Sequence, residues 1–139
     1  MNFMNAYRTR AEKLTGTDYH EVYVKAFALY KQIKSKSKRR PYVRSHYFKN
    51  SKVFLELFWH HLDQKKWPDR FRRMKYFPCA LELIQKSRIK PASKLNPNKS
   101  SEILYRFIGM TPDHSLFLVQ IKENIRKDQK WFMSVFPWK

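Results

Sequence analysis

Apolar residues recur at helical spacing through the first two thirds of the chain and at strand spacing in the last third. From Asp18 to about Lys38, the residues Tyr19, Val22, Tyr23, Ala26, Tyr30 and Ile33 fall three and four positions apart, the period of one helix face. Asp18 is suited to cap that helix, with Glu21 three residues on to complete a capping box. Val53, Phe54, Leu57, Phe58, His61 and Leu62 form a second stripe. It predicts a helix from near Ser51 to about Gln64, capped by Asn50 or Ser51. Trp67-Pro68-Asp69 and Phe77-Pro78 each place proline in a first turn, where its missing N–H costs nothing, and open a third and a fourth, shorter helix. Ser87 to Ser101, with Pro91, Asn96, Pro97 and Asn98, reads as a loop.

After Ser101 the period changes. Ile103 to Met110, Leu116 to Glu123 and Trp131 to Phe136 are short runs rich in aromatic and branched residues, separated by Pro, Asp and Asn, the pattern of an antiparallel meander. A hairpin loop of Pro112-Asp113-His114 sets Thr111 against Ser115 and fixes the register. Tyr105 then opposes Ile121, Phe107 opposes Val119 and Gly109 opposes Phe117, all on one apolar face. Arg106 falls opposite Gln120 on the other face, with Lys122 beside them. Pairing Val135 with Val119 and Met133 with Ile121 puts Ser134 opposite Gln120, flanked by Lys122, Phe132 and Phe136. A slip of one residue would scatter this segregation, because side chains alternate between faces. The expected fold is α+β: about four basic N-terminal helices followed by a small three- to four-stranded antiparallel β-meander. Residues 1–100 would be the helical portion and 101–139 the sheet portion of a single domain.

Charge sharpens this picture. Lys and Arg total 30 against 11 acidic residues, a net charge of +19. Residues 1–100 hold 24 basic and 7 acidic side chains, residues 101–139 only 6 and 4, which assigns the cationic surface to the helical portion. Such a surface calls for a polyanionic partner, RNA before others. With 17% aromatic residues and two glycines, the composition is that of a packed domain rather than a disordered one. Met1 to Lys13 lacks the apolar core of a signal peptide, and no run approaches the roughly 18 apolar residues of a membrane span. The single cysteine, Cys79, sits in an apolar context that predicts a buried, inert thiol and leaves no internal disulfide. A cytoplasmic protein without a membrane partner is expected.

Two sets of residues carry candidate chemistry. The cationic run that ends in Lys38, Arg39 and Arg40 continues into Tyr42, Arg44, His46 and Tyr47. That mixture of cations and rings suits phosphate grip with base stacking, whereas a charge run alone is more often a solvated helix end. Arg70, Arg72 and Arg73 on the third helix extend the RNA-contacting set. The second set is the row Arg106, Gln120, Ser134 with Lys122. Metal-free RNA cleavage needs positive charge at the phosphorane and groups to orient it, which these side chains supply. The ordinary alternative is the polar outer face that any antiparallel sheet carries. Glu102 or Glu123 would serve as base; His114, at the hairpin tip beside Asp113 and near Thr111, is a candidate proton carrier, with His46 as its rival. The ordinary reading of His114, and the one favoured over a catalytic role, is a plain turn residue. His60 and His61 point about 100° apart on a helix, poor geometry for joint ligation. Neither a metal nor a cofactor is expected.

The segments Arg106-Phe107-Ile108-Gly109-Met110-Thr111-Pro112-Asp113, Phe117 to Glu123 and Met133-Ser134-Val135-Phe136-Pro137 together resemble the C-terminal sheet of the barnase–EndoU–colicin–RelE-like nucleases, in particular their phage-associated branch. The resemblance covers residues 103–137 and includes Arg106, Thr111, Gln120, Lys122, Glu123 and Ser134; it departs from the usual Asp-Gly turn at Asp113-His114. It implies helices before a small antiparallel sheet and a metal-independent endoribonuclease, toxin-like, cleaving tRNA or mRNA by 2′-hydroxyl attack. An acidic antitoxin or immunity-type protein would be its natural protein partner. Two other readings stay open: a non-catalytic RNA- or DNA-binding protein, and a basic module for an acidic protein.

Overall fold

In the computed structural model, which describes residues 5–138, the chain runs through β1 (Tyr7–Arg8), α1 (Tyr19–Lys36), β2 (Tyr42–Ser45), β3 (Ser51–Phe54), α2 (Glu56–Asp63), α3 (Trp67–Lys75), α4 (Phe77–Lys86), β4 (Ala92–Asn96), β5 (Lys99–Met110), β6 (Leu116–Asn124) and β7 (Gln129–Pro137). Asp18 caps α1, accepting the Glu21 N–H at 2.9 Å. Pro68 and Pro78 stand in the first turns of α3 and α4. Among the described residues no helix is long and apolar enough to cross a membrane. The first four residues of the Met1 to Lys13 stretch lie outside the described residues.

The sheet departs from expectation. In place of a small three- to four-stranded antiparallel meander there is a seven-stranded mixed sheet in the order β1-β5-β6-β7-β3-β2, with β4 also on β5. It curls into a half-barrel. The meander β5-β6-β7 is present, but β1 pairs parallel with β5 and β3 parallel with β7. The extra strands come from segments read as helix or loop. Ser51–Phe54 is strand rather than the first turn of α2, and it forms a hairpin with Tyr42–Ser45. The connection is tight because Lys49 and Asn50 adopt positive φ, 55° and 66°. Helix α2 starts at Glu56 with neither Asn50 nor Ser51 as its cap. Val53 and Phe54 satisfied a helical period only because Leu57 and Phe58 follow them; four residues cannot distinguish the two periods. The expected loop from Ser87 to Ser101 contains β4 and the start of β5, joined by a turn in which Asn98 N–H donates to the Asn96 side chain at 3.0 Å.

The helices fill the inner face. Val22 and Ala26 of α1, Phe58 and Leu62 of α2 and six residues of α4 meet Val43, Val53, Phe107, Phe117, Val119, Ile121, Phe132 and Val135 of the sheet. The register of β5 on β6 agrees at every expected pair, and Ser134 faces Gln120. One pair fails: Ile121 faces Phe132, not Met133, because a bulge follows Gln120. The extra residue turns Phe132 inward, fully buried and stacked on Phe58 at 4.6 Å, so it does not flank the polar row.

The N-terminal strand is held by one carboxylate. Glu82 on α4 accepts from the Arg10 N–H at 3.0 Å, the Ala11 N–H at 2.8 Å and the Tyr7 hydroxyl at 2.7 Å. Burial alone would raise its carboxyl, but the two backbone donors and Tyr7 outweigh that and hold it below the usual carboxylate value. Burial, then the same pair, pushes the Tyr7 phenol up to about 12. A depressed carboxylate contributes stability above its unfolded-state value, and that contribution disappears as pH falls through the folded one. Glu82→Gln is therefore expected to lower stability at pH 7 by about 2 kcal/mol, since an amide N–H₂ would face donors. In thermal unfolding the gap to wild type should close as the buffer is taken toward pH 3; a gap independent of pH would rule this account out. Cys79 is buried, its Sγ 3.3 Å from the Ala11 carbonyl, and burial pushes its thiol up to about 11.

Candidate functional site

The outer face of the sheet, opposite the helices that fill the core, gathers the polar side chains. Strand register arranges it in rows. One row runs Ser134, Gln120, Arg106, Ala92 across β7, β6, β5 and β4. The adjacent row runs Tyr42, Phe54, Trp131, Lys122, Leu104, Lys94 across β2, β3, β7, β6, β5 and β4. The cations of this face therefore belong partly to β2, β3 and β4, which the charge count along the chain had assigned to helices.

Within the first row, Arg106 Nε donates to Gln120 Oε1 at 3.3 Å, and Gln120 Nε2 lies 3.3 Å from the Met133 sulfur. Gln120 is buried and Arg106 exposed, so the amide is a fixed post against which the guanidinium is braced. The Arg106 guanidinium also lies 5.7 Å from the Phe136 ring centroid, with Arg73 of α3 over the same ring at 5.3 Å. Lys90 and Lys94 line shallow hollows on either side of Arg106.

Lys122 joins the two rows. Its ammonium is 3.5 Å from the Glu102 carboxylate and 5.4 Å from the Trp131 ring centroid, with 24% of the side chain exposed. Burial would raise the Glu102 carboxyl, but the Asn96 side chain, at 3.0 Å, and then Lys122 and Lys99 hold it below its ordinary value. Glu102 is thus an ion-pair partner that fixes Lys122 rather than a carboxyl with a spare proton. Glu123 is on the inner face, as alternation requires, where it accepts from Tyr105 at 2.6 Å and pairs with Lys130 at 3.2 Å. It stands apart from the row.

The other residues singled out by sequence fall in several places. Thr111 and His114 are at the β5–β6 turn, six residues of strand or about 20 Å from Gln120. Thr111 is buried, its hydroxyl engaged with Asp113 and with the Ser115 N–H at 3.1 Å, and His114 has a positive φ of 66°. Lys38 and Arg39 are exposed beyond α1. Arg40 is ion-paired with Glu56 and lies 4.3 Å over Phe54; Arg44 and Lys52 lie over Tyr42 at 5.5 and 4.8 Å. His46 is exposed in the β2–β3 turn, whereas Tyr47 packs edge-on against Phe107 at 5.6 Å, on the core side. Arg70 closes the α2–α3 corner on the Asp63 and Lys65 carbonyls, both at 3.2 Å. Arg72 and Arg73 pair with Asp69, and of the two only Arg73 reaches the outer face.

His61 is the residue sequence reasoning passed over. It is half-buried on α2 and shares a depression with Lys65, Arg73, Met133 and Ser134. Burial, followed by the charges of Lys122, His60 and Lys65, lowers its imidazole below the usual histidine value, and a hydrogen bond to the Met133 backbone opposes this only in part. The lowered imidazole thus lies beside Ser134 of the polar row, with Lys122 among the charges that act on it. Its signal in the sequence was a histidine on an apolar helix stripe, which also describes an ordinary core-edge residue. Comparison with known protein families, with curated proteins and with solved structures gave no match.

Proposed function

We propose that the outer sheet face binds RNA and cleaves it without a metal ion, making the protein a toxin-like endoribonuclease of the cytoplasm. The observation that carries this reading is the row of Arg106, Gln120 and Ser134 on that face with Lys122 beside it, and His61 sharing a small depression with Ser134 and feeling the charge of Lys122. The positive charge a scissile phosphate needs is supplied by guanidinium and ammonium groups. In the reaction, the 2′-oxygen bonds to phosphorus as the bond to the 5′-oxygen breaks. His61 takes the 2′-hydroxyl proton, and the Lys122 ammonium gives a proton to the departing 5′-oxygen. Arg106 stabilises the phosphorane, braced by Gln120, and Ser134 orients a non-bridging oxygen. The resemblance of residues 103–137 to the barnase–EndoU–colicin–RelE-like nucleases supports the same chemistry, and an acidic inhibitor protein would fit the cationic face.

The test is incubation with total tRNA and a model mRNA in EDTA. Products ending in 2′,3′-cyclic phosphate and 5′-hydroxyl are expected. Because a lowered imidazole stays unprotonated to lower pH, activity should persist below pH 6.5, the ordinary histidine midpoint, before it falls. The acid limb should vanish, with most of the rate, in His61→Ala. Intact RNA and a salt-sensitive gel shift would make this a binding protein and retire the catalytic assignment.

A further inference from the structure

Three large rings stand side by side on the outer face without a role in the core. Tyr42, Phe54 and Trp131 are register partners on β2, β3 and β7, on strands about 4.8 Å apart. None belongs to the buried cluster or packs against it as a partly buried member. Each is half-buried and carries a cation: Lys52 and Arg44 over Tyr42, Arg40 over Phe54, Lys122 over Trp131. Beside Trp131 opens a cleft of about 450 Å³, lined by Arg40, Glu56, Leu57, His60 and Lys122. The core lies on the inner face and these rings remain partly accessible on the outer one, so their chemistry points outward.

We propose that this row is a stacking subsite for unpaired bases, with Trp131 as its principal platform, and that the substrate is therefore single-stranded RNA. The proposal rests on the functional reading above and deepens it. Lys122 is the link between the two: it is the next member of the aromatic row and a neighbour of Gln120 along β6. A phosphate held at Lys122 and Arg106 places the adjoining base over Trp131 and leaves Phe54 and Tyr42 to receive those beyond it. The cations over the rings serve the same strand, since a guanidinium or ammonium that caps a ring in the free protein can grip a phosphate when a base takes its place. Duplex RNA has no free base faces to offer, and its deep groove keeps side chains from the bases.

An abasic scan decides it. A single-stranded oligoribonucleotide with a 2′-deoxy sugar at the cleavage position binds without being cut, and one base at a time is deleted along it. Removing a base next to the cleavage position should weaken binding about tenfold in the wild-type protein. Trp131→Ala should bind the intact oligonucleotide about tenfold more weakly and show no further loss from the same deletion, while Trp131→Phe retains the sensitivity. Trp131 lies outside the core, and thermal unfolding checks that the variants fold; Tyr42→Ala gives a second, independent site. A flat scan, a penalty unchanged in Trp131→Ala, or equal affinity for duplex RNA would overturn the subsite. Cleavage of the unmodified oligonucleotide reports separately on the nuclease reading: uncut RNA with a Trp131-dependent penalty leaves the subsite standing and removes the catalysis.

Discussion

Replacing Arg106 and Lys122 together by alanine is expected to reduce RNA cleavage by at least ~10³-fold while leaving the protein folded. In the proposed reaction each supplies positive charge to the phosphorane, and loss of one such group from a preorganised site typically costs about 10² to 10³ in rate. Lys122 is also the proposed proton donor, so the pair should act as a unit rather than additively. Folding should be spared because Arg106 is exposed, and Glu102, the partner of Lys122, keeps Asn96 and Lys99. Binding should fall far less than cleavage: two phosphate contacts of many are lost, and the slope of log affinity against log salt should flatten by about 1.4. One readout separates a chemical from a structural role. Lys122 is among the charges that lower His61, so in the single Lys122→Ala variant the acid limb of any residual activity should move up toward the usual histidine value. Cleavage within a few-fold of wild type in the double variant would place the reaction elsewhere on the molecule.

The largest stability loss is expected from a single methyl group, in Gly109→Ala. Gly109 is a strand residue whose φ is unremarkable; what it lacks is room. A Cβ there would point into the ring of Phe117, its register partner, lying 2.6 and 2.7 Å from the two Cε atoms and closer still to Cζ. Phe117 is completely buried and packed against Tyr76 at 5.3 Å between centroids, so the ring has nowhere to retreat. Overpacking of this kind costs about 3 kcal/mol, at the upper end of its usual range. Chemical denaturation of Gly109→Ala, Phe117→Leu and the double variant measures it: the alanine should cost less than about 1 kcal/mol once the ring is gone. Additive losses would show that the strand, not the ring, resists the side chain.

The pairing of β5 with β6 could be read because it depends on local facts. A short turn fixes which residues face each other, and strict alternation then assigns every side chain to a face. Arg106 opposite Gln120 follows from that alone, and Ser134 opposite Gln120 from matching the apolar residues Val135 and Val119 on one face. The bulge after Gln120 could not be read, because whether Phe132 or Met133 turns inward is decided by which better fills the space against Phe58 and Phe77. The β2–β3 hairpin was hidden for a related reason: Val53 and Phe54 fit a helix stripe and a strand equally well, and β3 exists because the edge of β7 is available to pair with it.

The sequence by itself determined the four helices, the capping of the first by Asp18, the hairpin register and the polar row, each set by interactions among residues close in the chain or by a repeating period. Only the tertiary structure decided what stands beside that row. His61 reaches it from α2, Arg73 from α3, and Phe54 and Tyr42 extend it through a parallel pairing between segments about 75 residues apart. No local pattern encodes such meetings. They follow from how helices and strands share one core, and that packing turns a basic chain with a polar strand face into the surface proposed to bind RNA.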